Sequence, residues 1–312
     1  MLTAIIRRVI LVVPNIFLLT LILFWSVFSL LGTPVEMMLG RDADIATIAA
    51  LNEQYGFDRP VLEQYLSWIG NALQGDFGRS YLTKESVADA IAPRVLVTLE
   101  LASVAVLFAM LCTVVMNSIP VARRFFASAN TGLSLIGITV PNFMLGISLI
   151  YLLSVKLGWL PTSGWRDWSD GPVDHLRHLA LPAITLAAFF FGSFSLVYRA
   201  EYRAVQQNLF IKVARAKGLS EWGVSFKHSM PNSILPVITY AGLSLGQMTG
   251  GAVVTETVFS VPGMGRLFVD SITSHDFPVM LAVGMIIIVG VVLLNLLADI
   301  LYTMINPRIR LE

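Results

Sequence analysis

Val9–Leu31, VILVVPNIFLLTLILFWSVFSLL, runs for 23 residues without a charged side chain and directly follows Arg7 and Arg8. A hydrocarbon core about 30 Å thick is crossed by about 20 residues of helix. Inside it every backbone N–H and C=O must be satisfied within the segment, so an open chain crosses as helix. Five further stretches carry the same signature: Leu101–Ile119 just after Glu100, Phe125–Val155, Leu179–Tyr198, Ser229–Thr255 and Phe277–Ala298. None alternates polar and apolar residues as the strand of a membrane barrel does. The expectation is an all-α integral membrane protein with six transmembrane helices. The first stretch is too long for the apolar region of a signal peptide and no small-x-small cleavage site follows it, so it reads as a retained anchor.

The composition agrees. Of 312 residues, 56% are hydrophobic and 13% charged, against roughly 25% charged in soluble domains. A net charge of +1 gives no electrostatic footprint for nucleic acid. The single cysteine, Cys112, excludes an intrachain disulfide. Only His175 and His178 of the four histidines have helical spacing, and without a third ligand they make a poor metal site.

Orientation follows the basic residues. With the N-terminus inside, the inner segments hold Arg7, Arg8, Arg123, Arg124, Arg199, Arg203, Lys212, Arg215, Lys217, Lys227, Arg308 and Arg310, against the acids Glu201, Glu221 and Glu312. Lys/Arg bias places such loops in the cytoplasm, so both termini are expected there. The outer Gly32–Arg94 segment reads as short helices, Ile45–Tyr55 and Val61–Leu73, broken by glycine turns. A second outer segment, Lys156–His178, carries Trp159, Trp165 and Trp168, which mark either the membrane interface or a ligand-facing surface.

The inner segment Arg199–Pro231 is the most informative. Glu201–Lys217 reads as a helix closed by Gly218 in the left-handed conformation. Ser220 then caps a second short helix, on which Trp222, Phe226 and Met230 form one apolar stripe. Pro231 is expected to stop it where the fifth crossing begins. The stripe suits the lipid interface, the protein's own helices, or a groove on another protein.

Lys212-Val213-Ala214, then Gly218 and His228-Ser229-Met230-Pro231, resemble the EAA loop of binding-protein-dependent ABC importer permeases. Ala214, Gly218 and Pro231 match its pattern; Lys212, Val213, His228 and Met230 depart from it. Ala214-Arg215-Ala216-Lys217-Gly218-Leu219 is similar to the form found in the dipeptide/oligopeptide branch. Further blocks of that branch follow in order: Tyr55–Pro60, Gly75–Ser80, Arg94 with Thr98–Ala102, Val140–Phe143, Leu160–Trp165, Glu256–Arg266, Asp276–Val279 and Asn306–Arg310.

The resemblance implies a type I ABC importer permease fold and a place in the cell inner membrane. It implies four kinds of partner: a second, related permease chain, two ATPase subunits, an extracytoplasmic solute-binding protein and the lipid bilayer. The expected function is ATP-driven import of di- or oligopeptides; relatives of this kind also carry nickel, glutathione, opines or sugars. No Gly-x4-Gly-Lys-Ser/Thr loop is present, so ATP and Mg are assigned to the partner ATPases and the chain itself is expected to be non-catalytic and without cofactor. A stand-alone secondary transporter is the rival class, and it would favour interrupted helices with ion-coordinating side chains. The domain reading is 1–94 for the first helix and the long outer segment, 95–305 for the five-helix core, and 306–312 for a cytoplasmic tail.

Residues expected to couple to the ATPases are Lys212, Ala214, Arg215, Gly218, Ser220, Trp222, Phe226, His228, Met230 and Pro231. Polar groups within membrane spans are candidates for the pathway because burying them there is costly. Glu100 is either an ion-pairing group, with Arg94 or water, or a cargo contact. Asn295 and Asp299 share one helix face, Asp299 reading as a buried anchor or a pathway group. Gln247 and Thr249 adjoin Gly242, Gly246, Gly250 and Gly251, whose spacing signals close helix packing. Asn142 follows the Val140-Pro141 pair. Glu256, expected just past the outer end of the fifth crossing, is a candidate partner for the cationic end of a peptide or an arginine of the binding protein.

Overall fold

In a computed structural model, residues 2–35, 44–120 and 127–305 are described. The chain is helical almost throughout, and the one β-bridge among the described residues joins Arg79 and Ser86. In chain order the helices are α1 Leu2–Leu31, α2 Ile45–Tyr55, α3 Val61–Ala72, α4 Val87–Ser118, α5 Ala127–Thr139 and α6 Asn142–Leu149. They continue with α7 Pro172–Gln206, α8 Leu209–Ala216, α9 Glu221–Gly223, α10 Met230–Phe259, α11 Met264–Thr273 and α12 Phe277–Ile305. Among the described residues four spans, Arg8–Ser29, Val87–Ser118, Pro172–Gln206 and Phe277–Ile300, are long and apolar enough to cross a bilayer.

The expected third crossing is not one helix. Ser128–Thr139 and Asn142–Lys156 meet at 117°. Pro141 lacks a backbone N–H and forces Val140 out of the helical region, so the α5 ladder ends there and α6 starts afresh. Together the pair makes a fifth candidate span. The expected fifth crossing corresponds to α10, 30 residues long. The tail 306–312, Arg123 and Arg124 lie outside the described residues, as do the side chains of Gln247 and Thr249.

The chain divides into two compact units, Met1–Thr98 with Pro262–Leu296 and Leu99–Val261 with Leu297–Glu312. In the first, Tyr65 on α3 is fully buried among Phe24, Phe277, Met280 and Leu281, and its hydroxyl lies 2.8 Å from Thr20 Oγ1 of α1. Two of the sequence blocks meet here. Asp276, buried, accepts from the Ser80 hydroxyl and, at 3.1 Å, from the Tyr81 amide. Thr98 Oγ1 likewise accepts from the Met264 amide at 2.8 Å, covering an exposed donor at the start of α11.

The second unit is built on α7. Leu179, Ala183, Leu186, Ala187, Phe190, Phe194 and Tyr198 recur at helical spacing and are all buried. Against this stripe pack Leu101, Ala105 and Ala109 of α4, with Val237 and Ala241 of α10. The tightest crossing is between α5 and α7. A Cβ on Gly137 would lie 2.2 Å from Ala188 O, and one on Gly192 2.5 Å from Ser134 O. The described glycines of α10 meet no backbone so closely: a Cβ on Gly242 would make ordinary contact with Ala298, one on Gly250 would meet nothing, and one on Gly251 would lie 3.1 Å and 3.2 Å from the side chains of Asn142 and Leu186. Close backbone approach therefore sits on a pair that the glycine spacing of the fifth crossing does not point to.

Candidate functional site

Residues 199–231 adopt a sharper geometry than helix–glycine–helix. The first helix does not run on to Lys217; α7 ends at Gln206, and Asn208, extended at ψ 147°, starts α8. Gly218 takes φ +80°, with its amide bonded to Arg215 O at 2.9 Å and the next amide to Ala214 O at 3.2 Å. Ser220 Oγ accepts the Gly223 amide at 3.2 Å, capping α9. Pro231 does not stop the helix that follows. A π-helical turn, Val224–Ser229, joins α9 directly to α10, with Pro231 in the first turn of α10. The wider turn absorbs the missing proline N–H, and side chains serve its carbonyls: Ser229 Oγ donates to Val224 O at 3.2 Å, and Asn232 Nδ2 to His228 O at 2.6 Å.

The segment has its own small core of Val205, Ile211, Ala214 and Val224, so Ala214 is a packing residue. Lys212 is exposed and His228 half-buried. Trp222 and Phe226 stack at 5.5 Å and 7°, and stand 50% and 39% exposed; Met230, the third of the stripe, is half-buried. Arg215 bridges Glu221 at 3.0 Å and Gln206 Oε1 at 2.7 Å. Both partners of that ion pair are exposed, so it orients the segment more than it stabilises it.

Beneath the segment runs a seam of buried hydroxyls that sequence reasoning missed. Ser225 Oγ donates to Ser118 O at the end of α4, which leaves the Tyr202 hydroxyl to donate to Ser225 Oγ at 3.1 Å. The Ser118 hydroxyl in turn meets that of Tyr198, and Gln206 Nε2 donates to Ser229 Oγ at 2.7 Å. The available signal was the pairing of Tyr and Ser at the ends of apolar runs, where a buried hydroxyl must find a partner.

Glu100 is held by two groups far along the chain. Its Oε1 accepts from Trp168 Nε1 at 2.8 Å and lies 3.0 Å from Nε2 of His175. His175 is 1% exposed, with Nδ1 at 2.6 Å from Arg166 O. Trp168 stacks on its ring at 4.1 Å and Trp165 meets it edge-on at 5.0 Å. His178 bonds instead to Asp174 O of its own helix. Among the described residues no three His, Cys, Asp or Glu side chains converge on a metal position.

The other pathway candidates are dispersed. Asn142 opens α6, its Nδ2 3.1 Å from where a Cβ on Gly251 would sit. Helix α10 runs on to Phe259, so Glu256, expected just past the end of the fifth crossing, is part of that helix and is fully buried. The turn after it is closed by Ser260 in the left-handed region and by the Gly164 amide bonding to Phe259 O at 2.8 Å. Asn295 is exposed and Asp299 half-buried on α12.

The chain is a helical membrane protein with an ordered polar loop between two of its long helices, and the comparisons with known proteins specify its class. Residues 105–311 match the family of binding-protein-dependent transport system inner membrane components, and residues 1–102 match the N-terminal domain of such membrane components. The chain is 36% identical over 312 residues, 99% of each chain, to the glutathione transport system permease protein GsiC of Escherichia coli (strain K12). The same figures hold for GsiC of Shigella flexneri serotype 5b (strain 8401) and of Shigella dysenteriae serotype 1 (strain Sd197). The chain belongs to the binding-protein-dependent transport system inner membrane component family: it is a permease component of an ABC importer, in the inner membrane.

Proposed function

We propose that this chain is a non-catalytic translocating subunit that imports di- or oligopeptides, glutathione-like tripeptides among them. Six crossings, with both termini in the cytoplasm, pair with a second, related permease chain. Two ATPase subunits hold ATP and Mg, and a solute-binding protein delivers cargo from outside. Residues 1–94 form the first transmembrane helix and the long extracytoplasmic segment, 95–305 the five-helix core and 306–312 the cytoplasmic tail. Nickel, opines and sugars are the other cargoes of this importer class.

The observation that carries the mechanism is the continuity of α9 with α10. A lever transmits displacement only if its joints are stiff. Here the stiff joint is the π turn, through which the short helix runs into a 30-residue helix; the hydroxyl seam against α4 and α7 is where the short helix can shift. Its outer face presents the stacked Trp222–Phe226 pair, the apolar surface that a cleft on an ATPase subunit would accept. Closure of the ATPase dimer then moves α10, and the crossings rock between outward and inward openings.

Gly218→Val tests this. Its φ of +80° is strained for a β-branched residue by about 1–2 kcal/mol, enough to redirect the loop without unfolding the membrane helices. The variant is expected to insert and to retain its partner permease, but to lose uptake and solute-stimulated ATP hydrolysis in the assembled transporter. Normal stimulated hydrolysis in that variant removes the lever from the mechanism.

A further inference from the structure

Arg199 and Arg203 stand one turn apart on α7 and line a cavity of about 860 Å³ together with Asn117, Asn130, Thr131 and Gln206. Among the described residues that line it there is no carboxylate. Like charges four residues apart on a helix repel, so something must favour placing both here.

The neutral polar groups of the wall are occupied with one another. Asn117 Nδ2 donates to Thr113 O at 2.8 Å and lies 3.3 Å from Ser195 Oγ, and Asn130 Nδ2 donates to Asn117 Oδ1 at 2.7 Å. Gln206 is held between Ser229 and Arg215. Arg199 is only partly satisfied. Its Nε donates to Ser195 O at 3.2 Å and Nη1 to Thr131 Oγ1 at 2.7 Å, but Nη2 is shielded from solvent and has no acceptor among the described residues. A charged donor left in that state costs more than a neutral one, and an anion seated on the cavity wall would offset the charge of both arginines and relieve their repulsion.

We propose that this cavity is a phosphate site, in which Arg199 and Arg203 hold the phosphate group of an anionic lipid head-group or free phosphate. Arginine suits the task because its planar fork bonds two phosphate oxygens at once. Two observations favour the lipid. The arginines occupy the last two turns of the candidate span Pro172–Gln206, the level at which basic pockets between membrane helices take head-groups. The cavity, at about 860 Å³, also offers far more room than a lone phosphate ion fills. Because Gln206 on its rim also bonds Ser229 and Arg215, an occupied site would stiffen the end of α7 from which the 199–231 segment leaves. The site itself depends only on the membrane-spanning reading, not on the cargo or the lever.

The full chain, stripped of lipid in detergent, is titrated separately with phosphatidylglycerol, phosphatidylcholine and inorganic phosphate. Thermal unfolding midpoints and native mass spectrometry give the readout. Phosphatidylglycerol is expected to raise the midpoint and to remain bound, whereas phosphatidylcholine does neither. Arg203→Gln, at an exposed position where the fold should be unaffected, is expected to weaken that response about tenfold. Arg199→Lys, which keeps the charge but loses the fork, should weaken it as well. A response to inorganic phosphate alone, lost in Arg203→Gln, supports the site with a soluble anion as its occupant. If neither probe moves the wild-type midpoint, or if Arg203→Gln responds as wild type does, the proposal is overturned.

Discussion

Helices α4 and α7 are tied to their surroundings at both ends, by opposite chemistry. At one end Ser118, Tyr198, Tyr202 and Ser225 join neutral hydroxyls. Glu100 lies 18 residues earlier on α4, about 27 Å away along the helix, and there the tie is a carboxylate, a buried imidazole and two indoles. A hydroxyl both donates and accepts and carries no charge, so a seam of hydroxyls can exchange partners as helices shift without exposing an ion to a low-dielectric interior. A carboxylate and a buried imidazole taken from each other leave the imidazole nitrogen short of a partner in the interior, which is costly. The first arrangement suits a joint that moves; the second suits one that stays.

The comparison is most exposed at His175. Both ring nitrogens lie within hydrogen-bond distance of an oxygen, Nδ1 of Arg166 O and Nε2 of Glu100 Oε1. His175→Ala removes both bonds and the stack on Trp168, and opens a hole beneath Trp165. A loss of about 3 kcal/mol is expected, at the low end of the range for a buried pair because the Glu100 side chain is 25% exposed. The unfolding midpoint of the detergent-purified chain is the measure, and a midpoint within error of wild type would mean that this end is not a fixed anchor.

Ser225→Ala probes the other end. Ser118 O loses its donor and the Tyr202 hydroxyl its acceptor. The expected cost is about 2 kcal/mol, one bond's worth at each partner, with a larger proportional effect on function. Solute-stimulated ATP hydrolysis should fall further in Ser225→Ala than in His175→Ala, although the stability loss is smaller. The reverse order would show that the neutral seam is only packing.

Much of this architecture is legible in the residues themselves, because crossing a bilayer needs little more than uninterrupted apolarity, and the short helices Ile45–Tyr55 and Val61–Ala72 lie where helical patterning puts them. The left-handed Gly218 and the Ser220 cap are local chemistry and are read locally. What escapes is what a neighbour or an adjustable backbone decides. Pro231 looks like a stop, but a π turn accommodates it; Pro141 looks like one residue in a long apolar run, yet it breaks that run. The interruption at Gln207–Asn208 carries neither glycine nor proline. Amphipathic α11, Met264–Thr273, is hidden behind a turn-like Pro-Gly pair. Glu100 points locally to Arg94 or water, whereas its partners lie 68 and 75 residues further on, brought up by the fold of α7 and the loop before it.

Glu100→Gln is the smallest change and the one that separates two roles. The amide oxygen can still accept from Trp168 and His175, so the hydrogen bonds survive and only the charge is lost. The expected cost is about 1 kcal/mol or less, since the carboxylate is partly solvated. If Glu100 is solely an anchor, uptake of cationic, neutral and anionic peptides should keep the same ratios in the variant, whatever happens to the absolute rate. A carboxylate that meets the cationic end of cargo would instead lose cationic peptides selectively, because a neutral amide does not attract an ammonium group over distance. The geometry favours the first outcome. Oε1 is already engaged by two protein groups, and a carboxylate that must release one of them to greet cargo would have to break the tie between α4 and α7 in every transport cycle.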